Sequence, residues 1–402
     1  MRLPRIAEPL RHRDFRLLWV GQTLTLLGSF ISQVALPFQI LDLGGSALEL
    51  GTITSVFAVA NLVFLLFGGA IADRVSRRAL IVATELASGF VTAVIAGLGL
   101  AGRLELWHLY VLAASFGATT AFNIPALGAI IPELVPEDIL VAGNALRGLS
   151  RQAARVSGPV VGGIIVSLAG PPVAFAFNAT TFLLSAAVVW LTRPRPIDVR
   201  PRSSLLAEIR EGFAFVFSVE WLWVTIFGFS IIVAGFIGAF GVGLPLLVTE
   251  VLRAGAPTFG LITAAMGVGE AAGAGLMGQI RIRRAGIAMY LFAALGGVAL
   301  LVYGLVPSVP GALAASVILG LSFVSFGVLW ESALQRHVPR ALLGRVTSVD
   351  WFGGNLLGPV APLGAALIAN AYGPAAVFLV GGAIATGLCL AALALPSIRR
   401  LE

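Results

Sequence analysis

Apolar runs of about twenty residues, each closed by a short polar interval, follow one another from end to end of the chain. A run of that length crosses the roughly 30 Å hydrocarbon core of a bilayer as one helix. The pattern predicts twelve such helices, near 15–41, 49–72, 79–101, 106–131, 140–168, 172–192, 220–249, 256–280, 285–306, 310–335, 342–370 and 373–395. The longest polar interruption, RPRPIDVRPRSS at 193–204, divides them six and six. Behind it LLAEIREGFAFVFS reads as a short amphipathic helix lying at a membrane interface. The expected organisation is a six-helix bundle over 1–192, a linker with that amphipathic helix over 193–219, and a second six-helix bundle over 220–402. The fold class is therefore all-α and polytopic.

Composition removes the soluble alternative. The chain is 58% hydrophobic and 11% charged, with a mean hydropathy of +0.98, whereas soluble domains carry about 25% charged residues. Too few polar side chains remain to cover a large soluble core. The one cysteine, Cys389, cannot form a disulfide within the chain. The arginine-rich start runs into an apolar stretch too long for a signal peptide, so no cleaved leader is expected.

All 26 basic residues are arginine. They are spread between apolar runs and not gathered on one domain, so the net charge of +7 signals topology and not nucleic-acid binding. With a cytoplasmic N-terminus, the start of the chain, the loops at 74–78, 193–210, 281–284 and 336–345, and the C-terminal end hold 21 of the 26 arginines. The opposite side holds Arg103 and Arg253 alone. The positive-inside rule then places both termini in the cytoplasm.

The two halves repeat. LVPEDILVAGNALRG at 134–148 meets HVPRALLGRVTSVDW at 337–351 at an offset of 203. Pro159 meets Pro362 and Gly170-Pro171 meets Gly373-Pro374 at the same offset, while Gly69, Arg77 and Arg78 meet Gly275, Arg283 and Arg284 at 206. Two parallel six-span halves joined by a linker are one architecture of secondary transporters, with substrate bound between them near the midplane.

These features bear a family resemblance over essentially the whole chain. Gly69, Asp73, Arg74, Arg77 and Arg78 resemble the loop motif of the major facilitator superfamily, with Ser76 where glycine is usual. Gly158, Pro159, Gly162 and Gly163 resemble the glycine-proline motif of its antiporter branches. The opening LRHRDFRLLWVGQTLTLLGSFISQVALPF is similar to the subfamily that contains macrolide efflux proteins and the enterobactin exporter. The resemblance implies that Asp73 meets the N-terminus of span 11 across the halves when the cytoplasmic side is closed. A carboxylate gains roughly 0.3–1 kcal/mol at a helix N-terminus, so Asp73, steadied by Arg77 or Arg78, is a candidate latch for the outward-facing state. The second copy has Gln279 there, and topology alone is a sufficient role for Arg74. Pro159 bends span 5 and the glycines let a neighbour approach. Gly269 and Gly273 on span 8 offer a matching small-residue surface, and generic packing is the alternative reading.

Ionisable groups inside spans cost about 2.5–3.5 kcal/mol at the bilayer centre even on lenient scales, so each is a functional candidate. Glu270, halfway along span 8, and Asp350, followed by Trp351 in span 11, are placed to exchange a proton near neutral pH. Arg147, Arg151 and Arg155 form one stripe on span 5. Glu270 is a candidate partner for Arg151 or Arg155, either as a switch broken by protonation or as a static pair. Asp350 aligns with Arg147 in the repeat. Glu85 and Glu331, nearer the ends of their spans, read as structural ion-pairing residues.

Span 1 carries Ser29 where several drug-efflux relatives have an acid, which argues against selectivity for cationic drugs. Neutral polar side chains available to a solute are Gln22, Gln33, Gln39, Asn61, Asn123, Asn178 and Asn355, with Trp351 a further cavity candidate beside many phenylalanines. They suit a bulky amphipathic solute, neutral or anionic. The function expected is a secondary active transporter exporting a lipophilic or amphipathic small molecule, such as a drug or a siderophore, by alternating access in exchange for protons. An importer, an uncoupled facilitator or a lipid transporter on the same fold is the alternative. No cofactor, metal or nucleic acid is expected as a partner, and one chain can contain a complete pathway as a monomer. His12, His108 and His337 form no cluster and no GxxxxGK[ST] loop is present, so an enzyme or ATP-driven pump is not expected.

Overall fold

The structure is a computed structural model that describes residues 5–72, 75–194, 205–280, 282–340 and 342–401, with backbone alone at 5, 66–72, 129 and 205–209. Among the described residues every regular element is a helix. Hydrocarbon offers no partner to a backbone amide, so a spanning segment must close its hydrogen bonds internally. Among the described residues, eleven helices are long and apolar enough to cross a membrane. They are span 1 (Arg13–Asp42), span 2 (Ala47–Ala72), span 3 (Arg77–Leu100), span 4 (Leu106–Leu134), span 5 (Leu140–Ala169), span 6 (Pro171–Trp190), span 7 (Glu220–Val251), span 8 (Ala256–Met277), span 9 (Ala285–Leu305), span 10 (Val309–His337) and span 12 (Pro374–Ala392).

Span 11 is the twelfth, and it departs from the expected continuous helix. It is broken into Leu343–Asn355 and Ala361–Tyr372, joined by a turn at 356–360. The sequence there runs GGNLLGPVAP, and Pro359 and Pro362 have no N–H to give an unbroken ladder. Span 7 is continuous but locally widened. Pro245 lacks the N–H that would reach the Gly241 carbonyl, and π-helical turns at Ala239–Gly243 and Leu247–Val251 flank it. The protein is thus a twelve-helix multi-pass membrane protein built from two parallel six-helix pseudo-repeats.

The packing shows the same repeat. Span 3 lies against spans 6 and 4, and span 1 against spans 6 and 5; spans 9 and 12, 9 and 10, 7 and 12, and 7 and 11 pair in the same way. Met1–Val199 with Gly255–Ala264 form one compact unit, and Arg200–Ala254 with Ala265–Glu402 form another. In the first unit Phe15, Leu18, Ile81, Ile130 and Ile131 anchor a buried core. In the second, Trp221, Ile226, Tyr290, Phe326 and Trp330 do so, with Phe229 and Phe326 stacked 4.0 Å apart. The linker helix, Leu205–Ser218, packs on the first half of span 11, where Arg345 is ion-paired with Glu211.

Helix ends carry local chemistry. The Ser76 hydroxyl accepts a hydrogen bond from Ala79 N at 3.2 Å and caps span 3, a physical reason for serine where the loop motif favours glycine. Gly170 and Gly373, aligned in the repeat, have φ, ψ of 82°, 165° and 85°, 165°. That region is open essentially to glycine alone, and each is followed by a proline at the first helical position. Gly170→Ala and Gly373→Ala are each expected to lower stability by about 1–3 kcal/mol. Gly148→Ala, at a span 5 position with open space around it, is expected to change little; thermal unfolding of the three variants in detergent checks this.

Candidate functional site

Span 5 carries the glycine-proline motif on a face that two neighbours approach closely. Gly158, Pro159, Gly162 and Gly163 are all buried. A β-carbon on Gly158 would lie 2.5 Å from Phe30 Cβ, and one on Gly162 would lie 3.0 Å from the Ile31 backbone, so span 1 sits directly on the motif. On the other side, a β-carbon on Gly163 would meet the Ala256 carbonyl at 2.6 Å, and one on Gly260 would strike the Pro159 carbonyl. Phe38 of span 1 and Phe259 close this seam edge to face, 5.8 Å between centroids. The span 8 residues facing the motif therefore include Ala256 and Gly260. Gly269 and Gly273, expected in that role, instead face Val317 and Leu321 of span 10.

The loop motif is only partly visible. Gly69 lies within span 2, while Asp73 and Arg74 lie outside the described residues. Arg77 is ion-paired with Glu133 at the end of span 4. Arg78 donates to the Thr192 carbonyl at 2.7 Å and lies 5.1 Å over the Trp190 ring. Both arginines thus tie the start of span 3 to the ends of spans 4 and 6.

The intramembrane charges fall into different settings. Glu270 is 4% exposed and sits on the span 8 face against span 10, where a β-carbon on Gly320 would lie 2.9 Å from its amide nitrogen. Asp350 is half-buried and accepts a hydrogen bond from Trp330 Nε1 at 3.0 Å. On span 5, Arg147 and Arg155 are half-buried and Arg151 is exposed. Glu331 is exposed. Glu85 differs from its expected ion-pairing role. It is 2% exposed, its Oε1 accepts from Gln22 Nε2 at 2.5 Å, and among the described residues no cation pairs with it.

The neutral polar candidates also separate. Gln22 and Asn178 are buried in the helix packing of the first unit, and Thr181 Oγ1 donates to the Asn178 carbonyl at 2.7 Å. Asn61 donates to the Gly117 carbonyl at 3.1 Å and Asn123 to Thr84 Oγ1 at 3.0 Å, holding span 2 to span 4 and span 4 to span 3. Gln33 and Trp351 are exposed, while Asn355 is half-buried and donates to the Trp351 carbonyl at 2.9 Å. Among the described residues no group of three or more His, Cys, Asp or Glu side chains could hold a metal ion. What the arrangement offers is helices packed closely at a glycine seam, with Glu270 buried at the middle of span 8.

Twelve spans in two parallel six-helix repeats define a secondary-transporter fold. The family of transmembrane secretion effectors, within the major facilitator superfamily, matches residues 6–400, and the chain belongs to it. Among curated relatives, enterobactin exporter EntS of Citrobacter koseri is 27% identical over 363 residues, 89% of this chain and 85% of the exporter. Its Shigella boydii counterpart matches to the same extent. Among solved structures, the nucleoside transporter NupG aligns with a TM-score of 0.72 at 13% identity, covering 98% of this chain and all of that one. A bacterial homologue of the iron transporter ferroportin, in its inward-facing state, aligns at 0.71 and 15% identity, over 94% and 98%. These two likenesses concern the fold.

Gly260→Ala is expected to cost about 1–3 kcal/mol of stability by forcing a methyl into the Pro159 carbonyl. Gly275→Ala, on the same helix with nothing within 4 Å, is expected to be near neutral. Thermal denaturation followed by loss of the monodisperse fraction measures both.

Proposed function

We propose that the chain exports a lipophilic or amphipathic small molecule across the bacterial inner membrane by alternating access, driven by proton exchange. The observation that carries the export reading is the match to enterobactin exporters over 89% of the chain. The glycine-proline face of span 5 supports it, because a close seam limits leakage during a cycle. Twenty-one arginines on one side of the spans support cytoplasmic termini. The two six-span halves flanking the 193–219 linker act as the rocking bodies, and one chain works as a monomer. Asp73 with Arg77 and Arg78 serves as the latch. Glu270 and Asp350, with the span 5 arginines, are the coupling residues named by the sequence. Neutral amides and phenylalanines suit a bulky neutral or anionic solute.

Inside-out vesicles with an imposed proton gradient are expected to accumulate radiolabelled enterobactin or a lipophilic dye. Glu270→Gln is expected to reduce that accumulation by at least about tenfold. Accumulation that ignores the gradient argues for a facilitator. Accumulation only in right-side-out vesicles argues for an importer.

A further inference from the structure

The first unit contains a buried knot of three helices. Gln22 on span 1 donates to Glu85 on span 3 at 2.5 Å. Ser185 on span 6 lies beside the Glu85 carboxyl, and neither Glu85 Oε2 nor the Ser185 hydroxyl has a partner at proper hydrogen-bond geometry. Gly21 makes room for this meeting, since a β-carbon there would lie 2.8 Å from Ser185 Oγ. All three side chains are more than nine-tenths buried.

The titratable groups on the surrounding helices lie elsewhere. Span 6 has none. Span 1 carries Arg13, Asp14 and Arg16 at its start and Asp42 at its end; span 4 carries His108, Tyr110 and Glu133; span 3 itself carries Arg77 and Arg78. Arg77 is engaged by Glu133 and Arg78 by backbone carbonyls. Arg13 pairs with Asp14, and Arg16 donates to the Leu10 carbonyl. None is bonded to Glu85. A carboxylate buried among neutral groups carries a large desolvation penalty, which one proton removes.

The second unit supplies an independent comparison. At offsets of 203, 205 and 204, Gln22, Glu85 and Ser185 correspond to Thr225, Tyr290 and Cys389 on spans 7, 9 and 12. All three are buried in one cluster or bonded to it. Thr225 Oγ1 donates to the Trp221 carbonyl at 2.6 Å, which leaves the Tyr290 hydroxyl to donate to Thr225 at 2.9 Å. Each unit therefore sets a hydrogen-bonding side chain of its third helix against its first. A tyrosine, neutral as it stands, fills that place in one unit; an acid fills it in the other and matches that neutrality only while it holds a proton.

We propose that Glu85 is a proton-binding site inside the first unit, protonated in the packed arrangement and able to release its proton to water that reaches its carboxyl during the transport cycle. Release breaks the carboxyl O–H bond, leaves the carboxylate and passes the proton to a water molecule. The site's part in transport rests on the proton-driven reading above; its protonation does not.

Infrared spectra of the full chain in lipid at neutral pH are expected to show a protonated-carboxyl band that Glu85→Gln removes and Ser185→Ala shifts without removing. In proteoliposomes, Glu85→Gln is expected to lower gradient-driven enterobactin flux by at least about tenfold while leaving gradient-free exchange within about twofold of the parent. A band untouched by both substitutions overturns the site, including when Glu85→Gln folds poorly and Ser185→Ala alone is read. Gradient-driven flux that survives in Glu85→Gln, or exchange lost along with it in a variant of unchanged melting temperature, overturns the coupling role. A parent whose flux ignores the gradient removes the proton-driven reading and that role together, and the band still decides whether Glu85 holds a proton.

Discussion

Inside a bilayer a polar group finds its partner in the protein or goes without. That constraint organises this molecule. It requires each span to close its own backbone ladder, and it sends the exceptions to places where protein covers them. The widened turns around Pro245, the break in span 11 and the caps at Ser76 and Ser308 are all local answers to backbone groups that a regular helix leaves unpaired. Lipid tails are as apolar as leucine, so helix association depends on close van der Waals approach. The glycines of span 5 permit that approach where Phe30, Ile31 and Ala256 meet them.

The duplicated architecture separates what the fold requires from what one half adds. Gly170 and Gly373 keep the same backbone geometry in both units, because the junction between consecutive spans admits little else. The knots joining the first, third and sixth helix of each unit keep their positions but not their chemistry. At the glycine junctions the two units share a backbone geometry, and at the knots they share positions with different side chains.

Much of the fold was legible in the chain. Hydropathy summed over twenty residues finds a span, arginines mark its ends, and Gly-Pro pairs at one offset mark the repeat. The break in span 11 escaped because a hydropathy sum does not register a turn whose residues are as apolar as its flanks. The site was less legible. Small-residue spacing defines a face without naming what lies on it, so Gly269 and Gly273 looked suited to span 5 although they meet span 10. Glu85 was misjudged for a similar reason. Its place near one end of a span suggested an ion pair, but its surroundings come from residues 63 positions before it and from span 6 far beyond it. The repeat offset that aligns Gly170 with Gly373 also aligns Glu85 with Tyr290 to within two residues, and that was the available signal.

The broken span 11 bears on how the protein is made. Its halves contain 13 and 12 residues, about 20 and 18 Å of helix at 1.5 Å per residue, and neither crosses the hydrocarbon alone. The first half also carries Arg345 and Asp350, whose partners Glu211 and Trp330 lie in the linker helix and span 10. Partitioning this segment into lipid ahead of its neighbours would strand Asp350 and the turn's backbone. Span 11 is therefore a crossing that depends on earlier helices for cover, and its place in the membrane is set by the protein around it more than by its own hydropathy.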